Sequence, residues 1–362
     1  MTKIKIGCCG LALLLGGLTC VVNADQKPLP DVLTQSSVPA TNPEQGFLLS
    51  ITSAGDRLVA VGDSGRVILS DDHGNSWRQA VVPVNVLLTQ VRFASVNEGW
   101  AIGHLGVVLH SKDGGETWQR QLDGALAAQL VLAQAQVEAA LEGGDVEQAD
   151  RAVRQAQYLL EDGPDKPFLT MQVEDAQRVT VFGAFGLALR TTDGGKSWSP
   201  LNTGYFNPGS LHYYGSANDH EKALVVGEQG LLLRGQGDSF ESVEQPYAGT
   251  LFGVVATGNV SVAYGLRGNA VRSLDDGKHW QVVDTGVSAS LQGGLALRDG
   301  RILLLAENGQ VALSDRYAER FHVLEKTIRP AIEAVQVGDD QLVLVGPMGV
   351  QALSLAVGES VQ

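Results

Sequence analysis

The sequence predicts an all-β fold, a seven-bladed β-propeller of four-stranded blades with one inserted α-helical hairpin. Three observations carry this prediction: a short pattern that recurs seven times, a repeat length near 40 residues, and a composition suited to many tight turns. The pattern is clearest where Ala60-Val61-Gly62-Asp63-Ser64-Gly65 aligns with Ala101-Ile102-Gly103-His104-Leu105-Gly106. Further copies lie at Val181 to Gly186, Val225 to Gly230, Ala263 to Gly268, Leu305 to Gly309 and Val345 to Gly349. Each sets an apolar run before a glycine-bounded tip and an alternating run after it, the signature of two strands joined by a tight turn. The aromatics Trp77, Trp118, Trp198, Phe240, Trp280 and Phe321 close successive copies about 40 residues apart, with one doubled interval from Trp118 to Trp198. A unit of that length holding several short strands is a propeller blade. The chain carries 44 glycines in 362 residues, well above the ~7% of average usage, so turns are frequent.

Ahead of the repeats, Lys3 and Lys5 precede an apolar run from Leu11 to Leu18, and Val22-Asn23-Ala24 forms a small-residue cleavage site. Residues 1–24 therefore read as a secretory signal peptide, too short in its apolar part to span a bilayer, and a periplasmic location is expected. Cys8, Cys9 and Cys20 all fall inside it, so the mature chain is expected to carry no disulfide, thiol or thiolate metal site. A lipidated Cys20 is the rival reading, but Gly17-Leu18-Thr19 does not supply the small and leucine residues usual before such a cysteine. Residues 25–46 follow as an extended segment, and the propeller occupies 47–362. The net charge of −14 argues against nucleic-acid binding, which depends on Lys and Arg displacing counterions from phosphates.

Strands near 48 to 53, 57 to 62, 66 to 71 and 76 to 80 make the first blade. The doubled interval is explained by residues 122–165, where the pattern changes to Ala, Leu, Gln and Glu, all strong helix formers. Two helices are expected, Ala125 to Glu142 and Val146 to Leu160, with Gly143-Gly144 stopping the first and Asp145 capping the second. Leu126, Leu130, Val137 and Leu141 give the first helix its apolar stripe; Val146, Ala149, Val153, Ala156 and Leu160 give the second its own. Residues Ala334 to Leu355 hold three clear strands and a weak tail, which makes Val32 to Val38 the candidate for the outermost strand of the last blade.

Four copies carry a further phased motif: Ser70-x-Asp72-x-Gly74-x-x-Trp77, Ser111-x-Asp113-x-Gly115-x-x-Trp118, Thr191-x-Asp193-x-Gly195-x-x-Trp198 and Ser273-x-Asp275-x-Gly277-x-x-Trp280. These match the Asp-box, or bacterial neuraminidase repeat. Its chemistry is local: hydroxyl and carboxylate oxygens accept backbone N–H groups of the turn between strands three and four, and the Trp packs between sheets. Such fold-level marks do not carry function. A sialidase would need an arginine triad and a Tyr nucleophile with its Glu and Asp partners. The early Arg-Ile-Pro motif of those enzymes is absent, and Ile328-Arg329-Pro330 is in another order near the far end. Asp63, His104, Ala184, Glu228, Leu266, Glu307 and Pro347 occupy equivalent tips and share no chemistry, and the seven histidines scatter. No catalytic residue, cofactor or metal site is expected. A glycan- or lipid-binding propeller, served by aromatics such as Tyr213 and Tyr214, and a sialidase-like hydrolase are the alternatives.

With its Gly-x-x-Gly tips, alternating strands and Asp-box turns, the chain resembles the photosystem II stability and assembly factor family over about Phe47 to Leu355. The resemblance implies a non-catalytic scaffold that holds a membrane-protein partner. Bacterial relatives with a helical insert accompany exporters of the RND (MMPL-type) superfamily, which implies such a transporter as the partner. The chain departs from the photosynthetic members in its insert and its acidity, and no basic cluster matches the one thought to face their partner. In a blade, the turn between strands two and three and the link to the next blade open on one face, so the hairpin is expected beside the tips. Leu105, Phe185, Leu266 and Met348, with Leu126, Leu130, Val137 and Leu141 of the first helix, are the candidate partner-binding residues. Whether the hairpin protrudes or folds down over the tips is left open by the sequence.

Overall fold

A computed structural model of the chain describes residues 31–141, 146–219, 222–236 and 239–355. The signal-peptide segment, the Gly143-Gly144 stop and the Asp145 cap lie outside these residues. Within the compact unit Val32–Gln362, the described residues form seven antiparallel sheets, six of four strands and one of three. Blade one runs Leu48–Ala54, Arg57–Gly62, Val67–Ser70 and Arg78–Gln79 in simple order.

The innermost strand of every blade lies against that of the next, and Glu333–Gln336 of blade seven meets Leu48–Ala54 of blade one to close the ring. Six blades share a register shift in the pairing of strands one and two, as between Leu48 and Ser50 or Leu251 and Gly253. A bulge at a fixed place in each repeat adds local twist where the inner strands crowd the axis. Apolar side chains of adjoining blades fill the interfaces, with Val59, Leu69, Val91, Leu109 and Trp118 between blades one and two.

Closure differs from the sequence expectation. Val32 to Val38 does not join blade seven but runs beside the link between blades one and two: Ser37 N–H donates to the Val82 carbonyl at 2.9 Å and Asn85 N–H to that of Val32 at 2.8 Å. The physical reason is burial, since Val32 and Leu33 pack into the core between those blades. Blade seven, of Glu333–Gln336, Gln341–Gly346 and Gly349–Ser354, has no fourth strand among the described residues.

The insertion forms α1, Gly124–Ala139, and α2, Val146–Asp162. Asp123 caps α1 by accepting the Leu126 N–H at 3.0 Å. The apolar stripe Leu126, Leu130, Val137 and Leu141 is divided between two faces of the helix. Ala127, Ala128 and Ala135 are buried and Leu130 and Val131 pack inward, whereas Leu126, Val137 and Leu141 face solvent, the last two at 64% and 66% exposure. Small residues let the helix approach the blade closely, so the alanines are its fully buried positions and Leu130 and Val131 pack partly buried beside them. On α2, Ala156 is buried and Leu159 packs inward, while Val146 and Leu160 are exposed.

Candidate docking face

The tips between strands two and three are the most regular feature of the ring. In five blades the tip is a single 3-10 turn whose central residue takes a left-handed backbone conformation: Ser64, Leu105, Phe185, Gln229 and Arg267, with φ between 51° and 57°. The glycine that follows must stay a glycine. At Gly268, with φ +74°, an added Cβ would collide with the Val287 carbonyl.

The hairpin stands on this tip face. Its feet, Gly124 and Pro164, meet at the blade-two tip, where Gly124 lies against both Gly106 and the Leu105 carbonyl. From there α1 and α2 lean over blade three, and Ala127, Leu130, Val131 and Leu159 pack with Met171, Leu187, Leu189 and Trp198. Folding down is incomplete. A groove of about 610 Å³ remains between the hairpin and the tip and outer strand of blade three, lined by Val131, Glu138, Tyr158, Phe185, Leu201 and Asn207, among others. Its size is that of a site for a few side chains.

Phe185 is 57% exposed and lines this groove. On one side Lys166 Nζ lies 5.1 Å from the ring centroid, a cation–π contact. Lys166 is itself largely buried and paired with Asp165 at 2.5 Å and Asp162 at 3.3 Å. Burial alone would lower its pKa; the two carboxylates outweigh that and raise it, so the cation is fixed in place. On the other side a lane of rings continues: Phe185 to His212 at 4.6 Å, His212 to Tyr214 at 6.2 Å, Tyr214 to Phe252 at 5.8 Å. Glu228 braces the lane, accepting the His212 backbone N–H at 2.9 Å and contacting its ring Nδ1 at 2.7 Å. The backbone N–H of His212 is the main reason the Glu228 carboxyl titrates below its ordinary range.

Of the tip residues chosen from sequence, the contacts join Leu105 and Phe185 to the hairpin. Leu105 is half-buried, packed on the core of blades one and two. Leu266 and Met348 are exposed but stand on blades five and seven, where their carbonyls accept Tyr247 Oη and an Arg329 guanidinium N–H respectively. Sequence reasoning missed the roles of Lys166, His212 and Phe252. His212 is one of the seven scattered histidines, and no local spacing signals that it stacks between Phe185 and Tyr214. Tyr213 points the other way and is fully buried.

The Asp-box turns join strands three and four. In each of the four boxes the Ser or Thr hydroxyl accepts the Gly N–H, at 2.8 to 3.0 Å, and the Asp accepts a backbone N–H four residues on. Trp118 Nε1 donates to the Gly115 carbonyl at 2.9 Å, as Trp77 and Trp280 do to Gly74 and Gly277. These bonds hold Asp72 and Asp193 near a pKa of about 2, led by the Ser76 and Ser197 hydroxyls. At Asp275 burial pushes upward, but His279 and Ser273 outweigh it and again leave about 2. Blade six, without the motif, replaces it with Asp315, whose carboxylate accepts the N–H groups of Tyr317, Glu319 and Arg320. Among the described residues no group of three or more His, Cys, Asp or Glu is placed to hold a metal, and no helix is long and apolar enough to cross a membrane.

Comparison with known proteins agrees with this architecture. Residues 49–163 match the family model of the photosynthesis system II assembly factor YCF48. A photosystem II stability/assembly factor HCF136, chloroplastic, of Cyanidioschyzon merolae is 33% identical over 78 residues, 20% of this chain and 18% of that protein. The photosystem II assembly protein Ycf48 of Thermosynechococcus vestitus is 32% identical over 71 residues, 18% of this chain and 20% of that protein. The matched stretches thus span about a fifth of these relatives' length. Among solved structures, YCF48 bound to D1 peptide superposes with a TM-score of 0.63 at 14% identity, covering 89% of this chain and 96% of that one. The WD40 propeller domain of Doa1 gives 0.59 at 11% identity, over 90% and 97%. The likeness to solved structures is therefore one of fold, and the sequence matches are similarities to photosystem II assembly factors over part of the chain.

Proposed function

We propose that the protein is a non-catalytic scaffold of the periplasm that docks on a membrane protein through the tip face beside the hairpin. The observation that carries this reading is the groove between hairpin and blade three, lined by the half-exposed Phe185 ring. An aromatic anchor beside a groove is the kind of feature that dominates protein–protein recognition. A solved propeller of similar fold is described as bound to D1 peptide, which supports peptide binding as a use of this architecture. The partner in this reading is an exporter of the RND (MMPL-type) superfamily, on the strength of the sequence resemblance. Signal-peptide cleavage would leave a protein outside the inner membrane, and its acidic balance, greater still once Lys3 and Lys5 are removed, favours a basic surface on the partner over anionic lipid.

The test is capture of a partner from detergent-solubilised envelope by tagged protein, with identification by mass spectrometry. An integral membrane transporter should be retained, and Phe185→Asp or deletion of residues 125–160 with a short linker should cut its recovery at least tenfold while the propeller stays folded. Recovery unchanged by both alterations would move the docking face elsewhere; a partner of another class would remove the exporter reading. The ring lane from His212 to Phe252 favours a second reading, glycan binding by stacking, for which binding to a glycan panel that is lost in Tyr214→Ala is the distinguishing result.

A further inference from the structure

Each of the first six blades lends one apolar side chain, at the end of its outermost strand, to the core it shares with the next blade. These are Ala80, Leu122, Leu201, Val243, Val283 and Leu324. In four of them the same residue also ties the strand down: the N–H groups of Ala80, Leu201, Val243 and Leu324 donate to the third-strand carbonyls of Val67, Ala188, Leu232 and Val311 at 2.8 to 2.9 Å.

The core between blades seven and one has no such contribution among the described residues. It is built from Leu48, Ile51, Val343, Val345 and the half-buried Trp77, with Val335, Val337 and Val350. Where the side chain would sit there is a cavity of about 390 Å³, bordered by Trp77, Val337, Val343, Val350 and Ala352. The backbone tells the same story. Val350 pairs with Val345 as Val67 pairs with Val61, so its carbonyl is the counterpart of the one that receives Ala80. Here it receives an Arg329 guanidinium N–H at 2.8 Å, a side chain standing in for a strand. Antiparallel alternation turns the N–H and C=O of Ala352, two residues on, to the same open edge.

We propose that this edge is a β-augmentation site: an extended segment of a partner polypeptide adds as the fourth strand of blade seven, pairing with Ala352 and placing a Val- or Leu-sized side chain in the cavity beside Trp77. The six equivalent interfaces define the chemistry of that side chain, since all six positions are aliphatic. Glu44 borders the cavity, and with the chain's net charge of −14 it favours a basic residue flanking the aliphatic one. Backbone pairing supplies affinity and the pocket supplies selectivity, the division of labour of strand addition generally. The proposal extends the scaffold reading by giving it a second, peptide-holding surface separate from the tip-face groove.

A fluorescein-labelled heptapeptide of alternating Thr and Val with a Lys at each end is the probe, titrated into the purified protein by fluorescence polarisation. Saturable binding is expected, lost when the Val residues of the peptide become Asp. Ala352→Pro removes the pairing N–H at an edge where proline is tolerated, and should weaken binding at least tenfold with an unchanged circular dichroism spectrum. Ala352→Val keeps the N–H and should bind as the parent does. Binding indifferent to Ala352→Pro, or no binding at all, overturns the proposal. Binding that appears only after removal of residues 356–362 overturns it too, by showing the chain's own tail on the edge, and so does a dimer in sedimentation that Ala352→Pro abolishes. Loss of this site with transporter capture intact would leave the docking function of the tip face standing.

Discussion

Asp72, Asp193 and Asp275 each accept bonds from their own turn, and their carboxyls sit near a pKa of about 2 against 3.8 for an unconstrained aspartate. A folded-state pKa below the unfolded one means that ionisation favours folding. That contribution is complete above the unfolded value and is lost as pH falls from about 4 through about 2. The urea midpoint should therefore fall steeply over that window. Asp193→Asn should lower the midpoint at neutral pH and flatten the acid slope; an acid slope identical to the parent's would show that the box does not couple to folding. These residues were legible in the sequence because every partner lies within five positions. Asp315 was not, since it directly follows Ser314 instead of standing two residues on, and Ala318 and Phe321 replace the Gly and Trp that mark the motif.

The hairpin was visible as an element but not in its orientation. Helical composition located it and the doubled repeat interval explained it, yet the stripe Leu126, Leu130, Val137 and Leu141 did not say which way the helix faces: Leu130 packs inward and the other three face solvent. In an alanine-rich helix the apolar positions surround the axis, so periodicity does not select a face, and the choice falls to the surface it meets. Blade three offers a bed of Leu187, Leu189 and Trp198 on which Ala127 is fully buried, with Leu130 and Val131 partly buried around it, so no space is left at position 127 for a larger side chain. Ala127→Leu should therefore cost about 1–3 kcal/mol through overpacking. Val137→Lys, on the exposed face, should stay within about 0.5 kcal/mol of the parent. Urea unfolding measures both, and hydrogen exchange in α1 shows whether the loss is confined to the hairpin. The reverse ranking would mean that Val137, not Ala127, lies on the packed face.

At the scale of the whole ring, the count of seven was legible because it is a repetition, whereas closure depends on residues that no repeat relates. Arg92 of blade two pairs with Glu333 of blade seven at 2.5 Å, and the other oxygen of Glu333 accepts the Ile51 N–H of blade one at 2.8 Å. One carboxylate near the axis thus touches three blades, across the junction where the ends of the repeat meet. Its importance follows from what blade seven lacks: among the described residues no fourth strand completes its sheet, so closure there relies on packing of the inner strands and on this bridge. Truncating one partner of a partly buried, charge-assisted bond removes the bond and leaves the other polar groups poorly satisfied. Glu333→Ala should therefore lower stability by about 1–3 kcal/mol, read as a lower urea midpoint. Glu333→Gln keeps an acceptor for the Ile51 N–H and should lose less. If closure is cooperative with the rest of the ring, both variants unfold in one transition with the parent's denaturant slope. A separate early transition in Glu333→Ala would show instead that blades seven and one part before the other five unfold, and that the bridge is the latch of the ring.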